Sequence, residues 1–148
     1  MQKLNFPTFA FRFKITENKT FIFDRIRKKF LLLTPEEWVR QHWVYFLLDI
    51  QQIPISMLSL EKTFVVGQRK KRFDLVVYQK NGSLWMLIEC KQALVEITQQ
   101  VFDQIQQYQT SLKANYMVVS NGINHHIFEN KLHENKVEFS SNFPKYQL

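Results

Sequence analysis

Residues 72–92, RFDLVVYQKNGSLWMLIECKQ, constrain the fold most: two apolar runs flank Asn81-Gly82 and carry Asp74, Glu89 and Lys91. A two-residue turn of type I′ needs positive φ at both central positions, which Asn and Gly tolerate. Asn-Gly between runs rich in Val, Ile and Trp therefore predicts an antiparallel hairpin of strands 73–79 and 84–90. Side chains alternate along a strand, so Glu89 and Lys91 share one face and Cys90 takes the other. Ahead of Glu89, Leu84-Trp85-Met86-Leu87-Ile88 is apolar on both faces. A carboxylate ending such a buried run needs a partner, a metal or a shifted pKa.

Asp74 stands near the start of the first strand and Glu89 near the end of the second, so pairing through the turn brings both acids to one end of the hairpin. Two carboxylates there make a seat for Mg2+, a hard cation that takes oxygen ligands and keeps several waters; the Cys90 carbonyl offers a further oxygen. Lys91 is placed to orient or deprotonate the attacking water and to stabilise developing negative charge. A metal that generates a nucleophile and neutralises a phosphoryl oxygen is one route to phosphodiester hydrolysis.

The chain before this hairpin begins with Phe9, Phe11, Phe13 and Ile15, then Phe21 and Phe23 beyond Glu17-Asn18-Lys19, which predicts two strands within residues 4–23. Aromatic residues at strand period read as packing in preference to base stacking. Thr34-Pro35-Glu36-Glu37 starts a helix, with Thr34 as N-cap, Pro35 at the first helical position and Glu37 as the capping-box acid. This helix should run to about Asp49, pack its apolar side on the sheet, and stop before Pro54. A strand over residues 57–66 follows; Glu61 within it reads as a solvent-facing residue.

Beyond Lys91, apolar residues at helical spacing predict a helix over 98–112, and residues 116–120 form a buried strand ended by Asn121-Gly122. Strand, helix, strand at this spacing makes a crossover that sets 116–120 parallel to 84–90. One or two weak strands follow from Ile127, and Phe143 onward reads as a loose end. The adjacent His125 and His126 point to opposite faces of a strand, so with His133 they do not make a zinc tetrahedron.

A single domain of 148 residues suffices for a hydrophobic core, and no linker or repeat divides it. The one cysteine, Cys90, excludes an intrachain disulfide and fits a reducing cytoplasm, while no stretch approaches the roughly 20 apolar residues of a membrane helix. The formal charge of +7 suits a polyanionic partner. Its basic residues cluster as Arg25, Arg27, Lys28 and Lys29, and as Arg69, Lys70, Lys71 and Arg72 directly ahead of Asp74. Alone, each run reads as a solvated turn or strand edge; beside Asp74, the second is placed to hold a phosphate backbone.

With Asp74 and Glu89-Cys90-Lys91 as its E-x-K element, the chain resembles the PD-(D/E)xK nuclease superfamily. The closer resemblance is to the N-terminal nuclease module of type I restriction enzyme R subunits. TPEEWVRQ, RFDLVVY, LIECKQ, FDQIQQY and YMVVSNG occur in that module's order across residues 30–128. The resemblance implies an α/β, restriction-endonuclease-like core with a central mixed β-sheet flanked by helices, and a DNA endonuclease using Mg2+, for which Mn2+ substitutes. It also implies a further acid from the first helix, where Glu37 matches by order, with Glu61 as its rival. Gln104 and Tyr108 resemble the Q-xxx-Y element of RecB-like nucleases, which lies beside the metal site; an amphipathic helix explains the same spacing. Gly67, Gly82 and Gly122 cannot form a GxxxxGK[ST] loop, so the resemblance brings no motor and implies separate motor or specificity subunits as partners. The alternative is a catalytically silent nucleic-acid-binding or assembly module with the nuclease fold.

Overall fold

A computed structural model describes residues 1–148. The chain runs β1 (Phe13–Thr16), β2 (Lys19–Asp24), β3 (Lys29–Leu32), α1 (Pro35–Tyr45), β4 (Leu58–Val66), β5 (Arg69–Tyr78), β6 (Leu84–Cys90), α2 (Gln99–Leu112), β7 (Tyr116–Ser120), β8 (His125–Lys131) and β9 (Lys136–Ser140). Strands β1 to β3 form a small antiparallel sheet, and β4 to β9 form a six-stranded sheet in sequence order. Only β6 and β7 pair in parallel, because α2 carries the chain across one face between them. This is the mixed α/β sheet expected for a restriction-endonuclease-like core.

The inner strands are buried on both faces because each face has its own helix. Val39, Trp43, Val44 and Leu47 of the α1 layer pack on Leu75, Val77, Met86, Ile88 and Val118. On the other face, Ile105 of α2 packs with Phe73, Val76, Leu87, Met117, Val119 and Phe128. No helix is long and apolar enough to cross a membrane.

Several local expectations change. The β5–β6 hairpin forms, but of its two expected turn residues only Gly82 has positive φ, at 87°. The Gly82 amide donates to the Gln79 carbonyl, and the ladder shifts between Val77 and Tyr78, so a longer bulged connection replaces the type I′ turn. The turn with both central residues left-handed joins β1 to β2 instead, at Glu17 and Asn18. Residues 4–12 are not strand: Phe6, Phe9 and Phe11 lie against the α1 layer, whereas Phe13 and Ile15 in β1 remain exposed. The Thr34 hydroxyl caps the Glu37 amide at 3.0 Å, and α1 continues beyond Tyr45 as a wider π-helical turn, Phe46–Ile50.

The C-terminal end is anchored where a loose one was expected. Tyr146 is buried and donates to the Tyr78 carbonyl at 2.6 Å, while Phe143 meets the rings of Trp43, Phe46 and Trp85. The N-terminus is fixed too, because the Asn5 amide donates to the Gly122 carbonyl. Gly122 is required there: φ is 86°, and a Cβ would meet Leu4 at 3.0 Å and Val39 at 3.1 Å.

His125 and His126 do point to opposite faces. His125 packs with Phe6 and Trp43 and bonds to Ser120 Oγ and the Asn5 carbonyl; His126 packs on Phe102.

Candidate active site

Asp74 and Glu61 come together around Arg40 where β5 and β4 stop alternating regularly, while Glu89, on the opposite face of β6 from Cys90, turns toward α2. In β5, Phe73 faces the α2 layer while both Asp74 and Leu75 face α1. In β4, Leu60 and Glu61 both face α1, and Phe64 faces α2. Glu61 achieves this with a left-handed backbone, φ 51°, and its rung with Asp74 drops out between Leu60↔Leu75 and Lys62↔Phe73. Such a conformation costs a non-glycine residue about 1–3 kcal/mol and persists where the surroundings over-determine it. Here Arg40 reaches Glu61 at 3.0 Å and Arg27 at 3.6 Å.

Arg40 is the hub on the α1 side, and sequence reasoning gave it no role. Its buried guanidinium meets Glu37 at 3.2 Å and Glu61 at 3.0 Å through Nη1, and Asp74 Oδ1 at 3.1 Å through Nη2. Burial opposes its charge, yet Glu37 and then Asp74 outweigh that, holding its pKa above the ordinary value. The sequence did carry a signal: Arg40 lies four residues after Glu36 and three after Glu37 on one helical face. Glu37 does not close the capping box. Its carboxylate accepts from Arg40 and from Gln41 at 3.0 Å, so the acid expected from the first helix reaches Asp74 through a guanidinium. Glu61, expected to face solvent, belongs to the same cluster.

The second oxygen of Asp74 accepts the Cys90 backbone N–H at 2.7 Å, which fixes this carboxylate beside the end of β6. Burial pushes the Asp74 carboxyl above its usual range; the Cys90 N–H and Arg40 pull it down, and Glu89 raises it again. Cys90 itself is buried among the α1 layer, and burial pushes its thiol well above the ordinary value, so only its backbone bears on the site.

Glu89 and Lys91 share a face as expected, with Lys91 Nζ 3.8 Å from Glu89. A second ammonium, that of Lys71, donates to Glu89 and lies 5.5 Å from the ring centres of both Phe73 and Tyr108. Tyr108 therefore joins the site through Lys71, whereas Gln104 is exposed and lies in α2 without a side-chain contact to it. The expected basic run of Arg69, Lys70, Lys71 and Arg72 is divided: Lys71 turns inward, and the other three are exposed. In the first basic group, Arg25 is bound to Asp49 at 2.8 Å and Arg27 to the buried Asp24 at 3.3 Å.

No cluster of three or more His, Cys, Asp or Glu side chains is arranged to hold a metal. The smaller donor set of Asp74, Glu89 and the Cys90 carbonyl is all oxygen, and Mg2+ is commonly held by one or two carboxylates with waters and substrate phosphate completing its shell. In chemical character, this donor set fits such an ion.

A family model described as type I restriction enzyme R protein N terminus matches residues 35–144, from the first residue of α1 through β9. A search of curated proteins gives no match. The ordered motifs, the mixed sheet and a match over most of the chain show that it belongs to the type I restriction enzyme R protein N-terminus family, within the PD-(D/E)xK class.

Proposed function

We propose that this chain is a metal-dependent endonuclease module that hydrolyses DNA phosphodiester bonds. The observation that supports this reading is that Asp74 and the Glu89-Cys90-Lys91 segment lie at one end of the β5–β6 hairpin, with Asp74 bonded to the Cys90 amide on the α1 side and Lys91 3.8 Å from Glu89 on the α2 side. Asp74, Glu89 and the Cys90 carbonyl would hold Mg2+, and Mn2+ in its place. Bound there, the ion would supply Lewis-acid stabilisation of a phosphoryl oxygen and activation of water. Lys91, partly exposed, would donate hydrogen bonds to the attacking water and to the charge that develops on phosphate. Tyr108 would position the Lys71 ammonium, and Arg40 would hold Asp74 in a fixed orientation.

Type I restriction enzymes provide a DNA-directed, multi-subunit setting, and we place this module there, working in the cytoplasm together with motor and specificity functions. The test is a cleavage screen on supercoiled and linear DNA with Mg2+, Mn2+, Ca2+ or EDTA, using Glu89→Gln prepared in parallel. Cleavage that needs Mg2+ or Mn2+ and vanishes in Glu89→Gln supports the reading. Equal nicking by both proteins overturns it.

One observation favours a second reading, a binding module without turnover. Each carboxylate already has protein cations, Arg40 on Asp74 and Lys71 on Glu89, so neither acid needs a metal for charge balance. Metal-independent DNA binding with no cleavage under any of these conditions would establish that alternative.

A further inference from the structure

The outer half of the β4–β5 hairpin is a two-stranded arm. Pairing of β5 with β6 begins only at Leu75↔Ile88, whereas pairing with β4 continues from Lys62↔Phe73 to Val66↔Arg69. The segment from Lys62 to Phe73 contains five cations and no acid. The nearest carboxylates are already taken: Asp74 and Glu61 by Arg40, Glu61 also by Arg27, and Glu89 by Lys71 and Lys91. Lys62, Arg69, Lys70 and Arg72 are left exposed and without an acidic partner.

The faces of the arm differ. Lys71 and Phe73 face α2, where the Lys71 ammonium meets the Phe73 and Tyr108 rings and Phe64 packs on Phe73. By alternation, Lys62, Val66 and Arg69 share that side. Thr63, Val65, Lys70 and Arg72 take the other, all exposed, and continue the side on which Asp74 lies. At about 3.4 Å per residue, Arg72 and Lys70 stand roughly 7 and 14 Å outward from Asp74. This open face carries cations, a threonine and a valine but no aromatic ring; the arm's rings are turned inward. It is therefore built to follow a phosphate backbone and lacks the stacking platform that single-stranded binding uses. A two-stranded ribbon also has the width that the major groove of a duplex admits.

We infer that the open face of the β4–β5 arm is a duplex-DNA contact surface, on which Arg72 and Lys70 hold phosphates of the strand leading to Asp74. The inference rests on the nucleic-acid part of the proposed function, not on cleavage. It divides the basic run seen in the sequence: Arg72 and Lys70 are contacts, whereas Arg69 and Lys62 are not.

The experiment compares two double variants of the full chain that remove equal charge, Lys70→Ala/Arg72→Ala and Lys62→Ala/Arg69→Ala. Binding of a fluorescent duplex is measured by anisotropy across a salt series without divalent metal, and a single strand of the same sequence is run alongside. Losing two phosphate contacts flattens the log–log salt dependence by about 1.8, roughly a twelvefold smaller loss of affinity between about 50 and 200 mM salt. That change is expected for Lys70→Ala/Arg72→Ala, with less than about a twofold effect for Lys62→Ala/Arg69→Ala. Equal effects from both pairs, an unchanged slope in the first, tighter binding of the single strand, or no duplex binding by the unsubstituted protein would each overturn the inference. The two proposals can fail separately. Arm-dependent binding with no cleavage leaves this surface standing and ends the nuclease reading; cleavage by a protein whose arm variants bind normally does the reverse.

Discussion

Asp74 and Glu89 belong to adjacent strands of one hairpin, yet they are neutralised in different ways. Asp74 is held from the α1 side by a buried guanidinium shared with Glu37 and Glu61 and by a backbone amide. Glu89, turned toward α2, is met by two lysines on flexible stems, one resting against aromatic rings and one partly exposed. An arginine fork fixes direction, while an ammonium supplies charge and moves easily. The contrast assigns rigidity to one acid and adjustability to the other, and suits a site that keeps one ligand fixed while the second side receives substrate.

The largest effect should come from the adjustable side. Lys91→Ala is expected to lower the cleavage rate by about 10²–10⁴-fold while leaving duplex affinity within about twofold. Single-turnover cleavage and anisotropy on the same preparation would separate the two, and parallel losses would make Lys91 a binding residue.

Next come the two counter-ions. Arg40→Met leaves Glu37, Asp74 and Glu61 facing one another and should reduce stability by about 3–5 kcal/mol in urea unfolding. Lys71→Met should cost no more than about 1 kcal/mol, since Glu89 keeps Lys91. Equal losses would erase the distinction between the two sides.

A smaller effect has a definite pH dependence. Because the folded Asp74 carboxyl binds protons more readily than the unfolded one, it favours the fold fully below the ordinary Asp range. That contribution is lost as pH rises through the raised folded value. Asp74→Asn should therefore raise the Tm at neutral pH, with the gain shrinking toward acid pH; a gain that grows in acid would contradict the burial argument. Smallest is the cap: Thr34→Ala should cost about 1 kcal/mol at the start of α1, read by urea unfolding.

What the sequence disclosed follows the reach of its local signals. Asn81-Gly82 between β-branched and aromatic runs marked the β5–β6 hairpin, and apolar spacing marked α2 and the crossover to β7, because turn chemistry and periodicity act over a few residues. The partners of the acids were hidden, since ion pairs join distant segments. Arg40 meets Glu61 and Asp74 across 21 and 34 positions. Lys71 lay within a basic run whose alternation could not be phased until the start of β5 was known. The left-handed backbone of Glu61 and the burial of Tyr146 likewise depend on contacts made only after the sheet assembles.

The kink at Glu61 has one more consequence. Strand β4 forms an outer margin of the large sheet, and a straight margin offers a row of unsatisfied amides and carbonyls to any other extended polypeptide. A left-handed residue in its middle, followed by a lysine, breaks that row into short pieces. The opposite margin, β9, carries Lys136 paired with Glu134 and Glu138. The same distortion that turns an acid toward Arg40 therefore also guards the protein against edge-to-edge aggregation.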